Sequence, residues 1–116
     1  MSVSTLRIPA DTEQVRVARL VAGTAARRAG VDPEEIEDVR LAVGEAVGRA
    51  VLRHLDTDVA DPVVIEFRDD PETFSVVVND QAIAGGSDSG FAMAVITGLV
   101  PSAQLSGQTL SMTWVL

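Results

Sequence analysis

Residues 32–54 read DPEEIEDVRLAVGEAVGRAVLRH. Asp32 as N-cap, Pro33 at the first helical position and Glu35 three residues after the cap predict a helix start. Ile36, Val39, Val43, Ala46 or Val47, and Ala50 then recur at helical spacing, which predicts one buried stripe running to about His54. Inside this apolar segment stand a carboxylate, Glu45, and a guanidinium, Arg49, four residues apart in the order that favours a helical ion pair. A carboxylate so paired is held more acidic and makes a poorer general base. Gly44 and Gly48 each cost the helix about 1 kcal/mol relative to Ala. They mark either close packing against a neighbouring element or room for a ligand beside Glu45.

Outward from this helix the pattern changes period. Val3–Pro9 alternates, with Leu6 and Ile8 on one face and Thr5 and Arg7 on the other, as in a strand. Asp11 with Gln14 three residues later has the form of a capping box. Val15, Ala18, Leu20, Val21 and Ala25 follow as a helix that stops at Gly30. Val63–Arg68 and Phe74–Val78 are rich in β-branched residues and read as strands joined by a turn at Asp69-Asp70-Pro71-Glu72. After the stretch Ala84–Gly90, the segment Phe91–Val100 is a short apolar helix ended by Pro101. Ala103–Leu105 and Thr109–Val115 close the chain as strands around Gly107. The order β-α-α-β-β-α-β-β predicts an α+β fold, a two-layer sandwich in which a mixed, mostly antiparallel sheet carries three helices on one face. No linker or repeat divides the 116 residues, so residues 1–116 form one domain.

Composition removes several classes of chemistry. The net charge of −8 disfavours direct nucleic-acid binding. All nine basic residues are Arg, so no lysine mechanism and no Walker-type phosphate loop exist. Without Cys and with a single His there is no disulfide, thiolate zinc site or multi-histidine metal centre. No apolar run is long enough to span a membrane and no signal-peptide core is present, which predicts a cytoplasmic protein. His54 reads as a dipole partner near a helix C-terminus. Arg27-Arg28 reads as a solvated helix end, and Trp114 as a core or interface residue. The apolar residues Trp114 and Leu116 of the terminal strand are expected to be exposed.

Four blocks resemble the ATP-binding domain shared by gyrase, histidine kinases and the bacterial anti-sigma-factor serine kinases, the last group most of all. Leu41–Val51 (LAVGEAVGRAV) is similar to that family's N-box, usually LAVSEAxxNAV. Val76-Val77-Val78-Asn79-Asp80 resembles the strand delivering the adenine-binding Asp. Gly90–Val100 resembles the loop and helix flanking the phosphates, and Gly107-Gln108-Thr109-Leu110 the last Gly-Thr block. The resemblance implies a histidine-kinase-like ATPase fold with Glu45 as the remnant of a general base. It places Arg49, Asp80, Ala82, Gly85, Gly86, Gly90 and Thr109 around a nucleotide.

The departures from that family shape the functional expectation. Arg49 stands where the family's Asn binds magnesium; Arg offers donors and a fixed charge and cannot ligate a cation. Alanines at 82, 84 and 92 replace glycines whose backbone would lie close to phosphates. The lid is reduced to about Gly85–Ser89. A partner-switching regulator is therefore expected, holding a sigma factor or an anti-sigma-factor antagonist, with weak ATP binding, no magnesium and a homodimeric state. The alternatives are an active serine kinase that phosphorylates the antagonist, and a scaffold that pairs with an intact paralogue.

Overall fold

The computed structural model describes residues 1–80 and 90–116. Strand β1 (Ser2–Ile8) leads into helix α1 (Val15–Ala29) and helix α2 (Ile36–Asp56). Strands β2 (Val63–Asp69) and β3 (Thr73–Asn79), helix α3 (Gly90–Leu99), and strands β4 (Ser102–Ser106) and β5 (Thr109–Val115) follow. The expected order is therefore present. The strands form one five-stranded sheet, β1-β2-β3-β5-β4, and each of its four ladders is antiparallel.

Local chemistry sets the helix ends. The Asp32 carboxylate accepts the Glu34 amide at 2.9 Å, and Pro33 occupies the first turn, so α2 enters through a short 3-10 turn. The Asp11 carboxylate accepts the Glu13 amide at 2.9 Å. Its own amide goes to Pro9 O at 2.8 Å. The predicted capping box is thus half made: the reciprocal donor that Gln14 would have accepted is already used. Helix α1 ends on Gly30 at φ +97°, and the Val31 amide returns to Ala26 O at 3.0 Å. That left-handed residue is what glycine supplies without steric cost.

Small residues bring α1 and α2 together. Ala18, Ala22 and Ala26 are buried on α1, as are Ala42, Ala46 and Ala50 on α2. Arginine stems lie across glycines at both ends of the contact. Arg40 Cδ would stand 3.1 Å from a Cβ at Gly23, and the Arg19 guanidinium lies over Gly44. Gly44 is therefore explained by close packing, whereas a Cβ added at Gly48 would meet nothing within 4 Å among the described residues. Val39, Val43, Val47 and Val51 of α2 then bury against Val63, Ile65, Phe67, Val76 and Met112 of the sheet. Each such side chain contributes roughly 1.5–3 kcal/mol relative to exposure.

Trp114 is fully buried, its ring 6.0 Å from that of Phe74, which corrects the expectation that it is exposed on the terminal strand. It alternates with Leu110 and Met112 on the helix-facing side of β5, so the period of two carries it into the core. Its indole Nε1 has no hydrogen-bond partner among the described residues. Leu116 remains partly exposed, and Arg27 and Arg28 lie at an exposed helix end, as expected. No helix among the described residues is long and apolar enough to cross a membrane.

Candidate functional site

The last turns of α2 meet the end of β3 at a buried cluster of charges. Asp80, 3% exposed, follows β3, and its amide donates to Gln108 O at 2.8 Å. Arg53 Nε donates to Asp80 Oδ2 at 2.5 Å. His54 Nε2 lies 3.2 Å from Asp80 Oδ1. The carboxylate thus has a basic group on each oxygen.

His54 is itself 0% exposed, and its Nδ1 lies 2.9 Å from Asp61 O. Both neighbours are acceptor oxygens, and which ring nitrogen donates to which depends on the tautomer. His54, expected near a helix C-terminus, stands in the last turn of α2 and is buried there. The stripe Val43, Val47, Ala50 continues by one more helical step to His54, and that spacing could have placed it inside. Arg53 was equally unmarked by the sequence motifs. Its position four residues after Arg49, on the same side of α2, was the available signal.

The predicted ion pair between Glu45 and Arg49 is not formed. Glu45 is half-buried, and its side chain has no hydrogen bond or ion pair among the described residues. Arg49 is 8% exposed, drawn into the fold and engaged with other groups. The i,i+4 spacing makes a pair possible but does not decide which partner a buried guanidinium takes. Glu45 therefore lacks the neighbouring cation that was expected to make it a poorer base.

The remaining predicted site residues divide. Gly90 opens α3, and Ala92 is buried on that helix. Thr109 stands opposite Asn79 and donates its hydroxyl to Asn79 Oδ1 at 3.2 Å. It alternates with buried Leu110, so its side chain is on the sheet face away from the helices and from the Asp80 carboxylate. Ala82, Gly85 and Gly86, with the short lid, lie outside the described residues. Glu45, Arg49 and Arg53 follow one another along α2, and Asp80 meets that row from the sheet. Among the described residues no group of three or more His, Asp or Glu side chains could hold a metal ion.

A helical layer thus lies over one antiparallel sheet, with a buried Asp after the third strand and a Glu on the second helix. The chain belongs to the histidine kinase-like ATPase domain family, whose profile matches residues 8–114. Among curated proteins it is similar to the serine-protein kinase RsbW of Bacillus subtilis (strain 168), 34% identical over 76 residues, 66% of this chain and 48% of that protein. RsbW of Listeria monocytogenes (serovar 1/2a, strain EGD-e) is 33% identical over 76 residues, with the same shares. The chain thus spans about half the length of the curated relatives it matches. A solved structure of the RsbU and RsbW domains of Rv1364c from Mycobacterium tuberculosis superposes with a TM-score of 0.71, covering 99% of this chain and 31% of that one. At 18% identity that likeness speaks to the fold.

Proposed function

We propose that this chain is an anti-sigma-factor-like partner-switching regulator. It holds a sigma factor or an anti-sigma-factor antagonist through protein surface, works as a homodimer in the cytoplasm, and binds ATP weakly and without magnesium. The observation that carries the weak-nucleotide half is the Asp80 clamp. A carboxylate that reads an adenine amino group must be open to it, and Asp80 is 3% exposed, with Arg53 and His54 each against one of its oxygens. The residues at the metal position fit a cation poorly: Arg49 brings a fixed positive charge and no lone pair to the helix face where an amide oxygen would be needed. The partner half rests on the resemblance to the anti-sigma-factor kinases and on the similarity to the RsbW proteins.

Calorimetric titration with magnesium-ATP tests the first half. Little or no heat is expected for the wild-type chain. Arg49→Asn removes the cation and supplies an amide oxygen, so magnesium-nucleotide affinity should rise. Because Arg49 is buried, its replacement should also cost more stability than the few tenths of a kcal/mol of a surface pair. Micromolar magnesium-dependent binding by the wild-type chain would sink the reading. Capture from native cytoplasm with the chain as bait tests the second half, and recovery of neither a sigma factor nor an antagonist would remove it.

One observation favours a second reading, an active serine kinase. Glu45 keeps a half-exposed carboxylate with no described partner, as a general base requires. Transfer of labelled phosphate from ATP to a serine of a co-purified antagonist, lost in Glu45→Gln, would establish it.

A further inference from the structure

Strand β1 stands at the edge of the sheet and pairs with β2 alone. Among the described residues one row of its backbone N–H and C=O groups therefore has no ladder partner. Between this strand and α1 runs a groove. One hollow of about 280 Å³ is walled by Leu20, Val21, Ala25 and Arg28 from α1 and by Ser4 and Phe67 from the sheet. A second, of about 140 Å³, shares Ser4, Ala25, Arg28 and Phe67 and reaches on to Ser2 and Phe74. The groove exists because Ser2 and Ser4 are short. They hold the helix-facing positions of β1 that Leu6 and Ile8 fill further along the strand. The two walls are also electropositive. Together β1 and α1 hold five of the nine arginines, Arg7, Arg16, Arg19, Arg27 and Arg28, and none of the seventeen carboxylates. Arg28 lines both hollows, is exposed, and makes no ion pair among the described residues.

We infer that β1 is a strand-addition site for an extended acidic segment of another protein. The segment lengthens the sheet at this edge and lowers two side chains into the groove, one apolar and one a carboxylate that meets Arg28. Three features favour that occupant. The free backbone row supplies main-chain hydrogen bonds to any extended chain laid beside it, and the hollows supply the choice of side chain. Each hollow is smaller than the roughly 300–1,000 Å³ of a small-molecule site. Yet the two lie side by side from Ser4 to Ser2, a step of ~6.6 Å, the repeat of alternate side chains on one strand. The third feature is charge: an edge with arginines and no carboxylate attracts an acidic segment and turns away a basic one. A nucleic acid would feel the same attraction, but the aromatic rings here, Phe67 and Phe74, are 4% and 1% exposed and offer no face for a base to stack on.

This stands apart from the proposed function, which can hold with the β1 edge bare. The probe is a set of capped seven-residue peptides, TLTXTVT with X as Glu, Asp, Gln or Lys, titrated into the ¹⁵N-labelled chain at low salt. The amides of β1 and of the second half of α1 should shift. The Glu and Asp peptides should bind about fivefold more tightly than the Gln peptide, with Lys weakest. Arg28→Glu, at an exposed helix end, should invert that order. Ser4→Leu fills the hollow and should abolish the shifts, while circular dichroism shows the variant folded. N-methylation of the odd or of the even residues of the Glu peptide tests the strand itself. One set should abolish binding and the other spare it, because only one edge of the peptide meets β1. No binding at any X, equal binding at every X, or shifts confined to the Asp80 end overturns the inference. So does a single-stranded oligonucleotide that binds this edge more tightly than the Glu peptide. Movement of the β1 amides on concentrating the chain alone would give the edge to a second copy and overturn it as well.

Discussion

His54 has an oxygen on each side of its ring, Asp61 O at 2.9 Å and Asp80 Oδ1 at 3.2 Å, so it ties the segment before β2 to the end of β3. Arg53 is the other half of the clamp. Removing one partner of a buried pair leaves a charge that the interior cannot solvate well, so Arg53→Ala should cost about 3 kcal/mol in denaturant unfolding. A loss within a few tenths of a kcal/mol would mean that water or another cation already serves Asp80. These two residues were the part of the site least legible in the sequence. The motif blocks identified Asp80 but carried no information on what lies against it. That depends on how the end of α2 crosses the end of β3.

At the level of elements, α2 was legible because its cap and its stripe agree. The Glu45–Arg49 pair was not, because spacing says which side chains can meet and not which partner wins. Gly48 gives a direct test of the helix. Its Cβ would meet nothing described, so Gly48→Ala should stabilise the fold by up to about 1 kcal/mol in urea unfolding. Gly44→Ala should gain less, since the Arg19 guanidinium must swing away first. If Gly48→Ala is instead destabilising, the space above that residue is filled. The β2–β3 hairpin makes a pH prediction. The Asp70 carboxylate accepts the Glu72 amide at 2.8 Å and the Thr73 amide at 2.7 Å. These bonds hold its pKa below the ordinary 3.8. A depressed carboxylate stabilises the fold in full above the unfolded value, and that contribution is lost as pH falls through the lower folded value. Acid unfolding of Asp70→Asn should therefore lack that part of the pH dependence, and an unchanged acid limb would show that the turn is not held this way.

The molecule as a whole was readable wherever period, order and turn chemistry agreed, which covers the layers and the sheet. What the residues do was less readable, because the motif blocks mark positions along the chain and not what packs against them. Trp114 offers a way to measure the outcome. It is the only tryptophan, there is no tyrosine, and its ring is fully buried beside Phe74. Its fluorescence should therefore be blue-shifted and uncontaminated in the native protein, and should move to the red in one step on unfolding. Trp114 also stands five residues along β5 from Thr109, some ~17 Å from the Asp80 end of the sheet. An event confined to the charge cluster should leave the emission unmoved, so this single intrinsic probe separates loss of the fold from occupation of the site without any label being added.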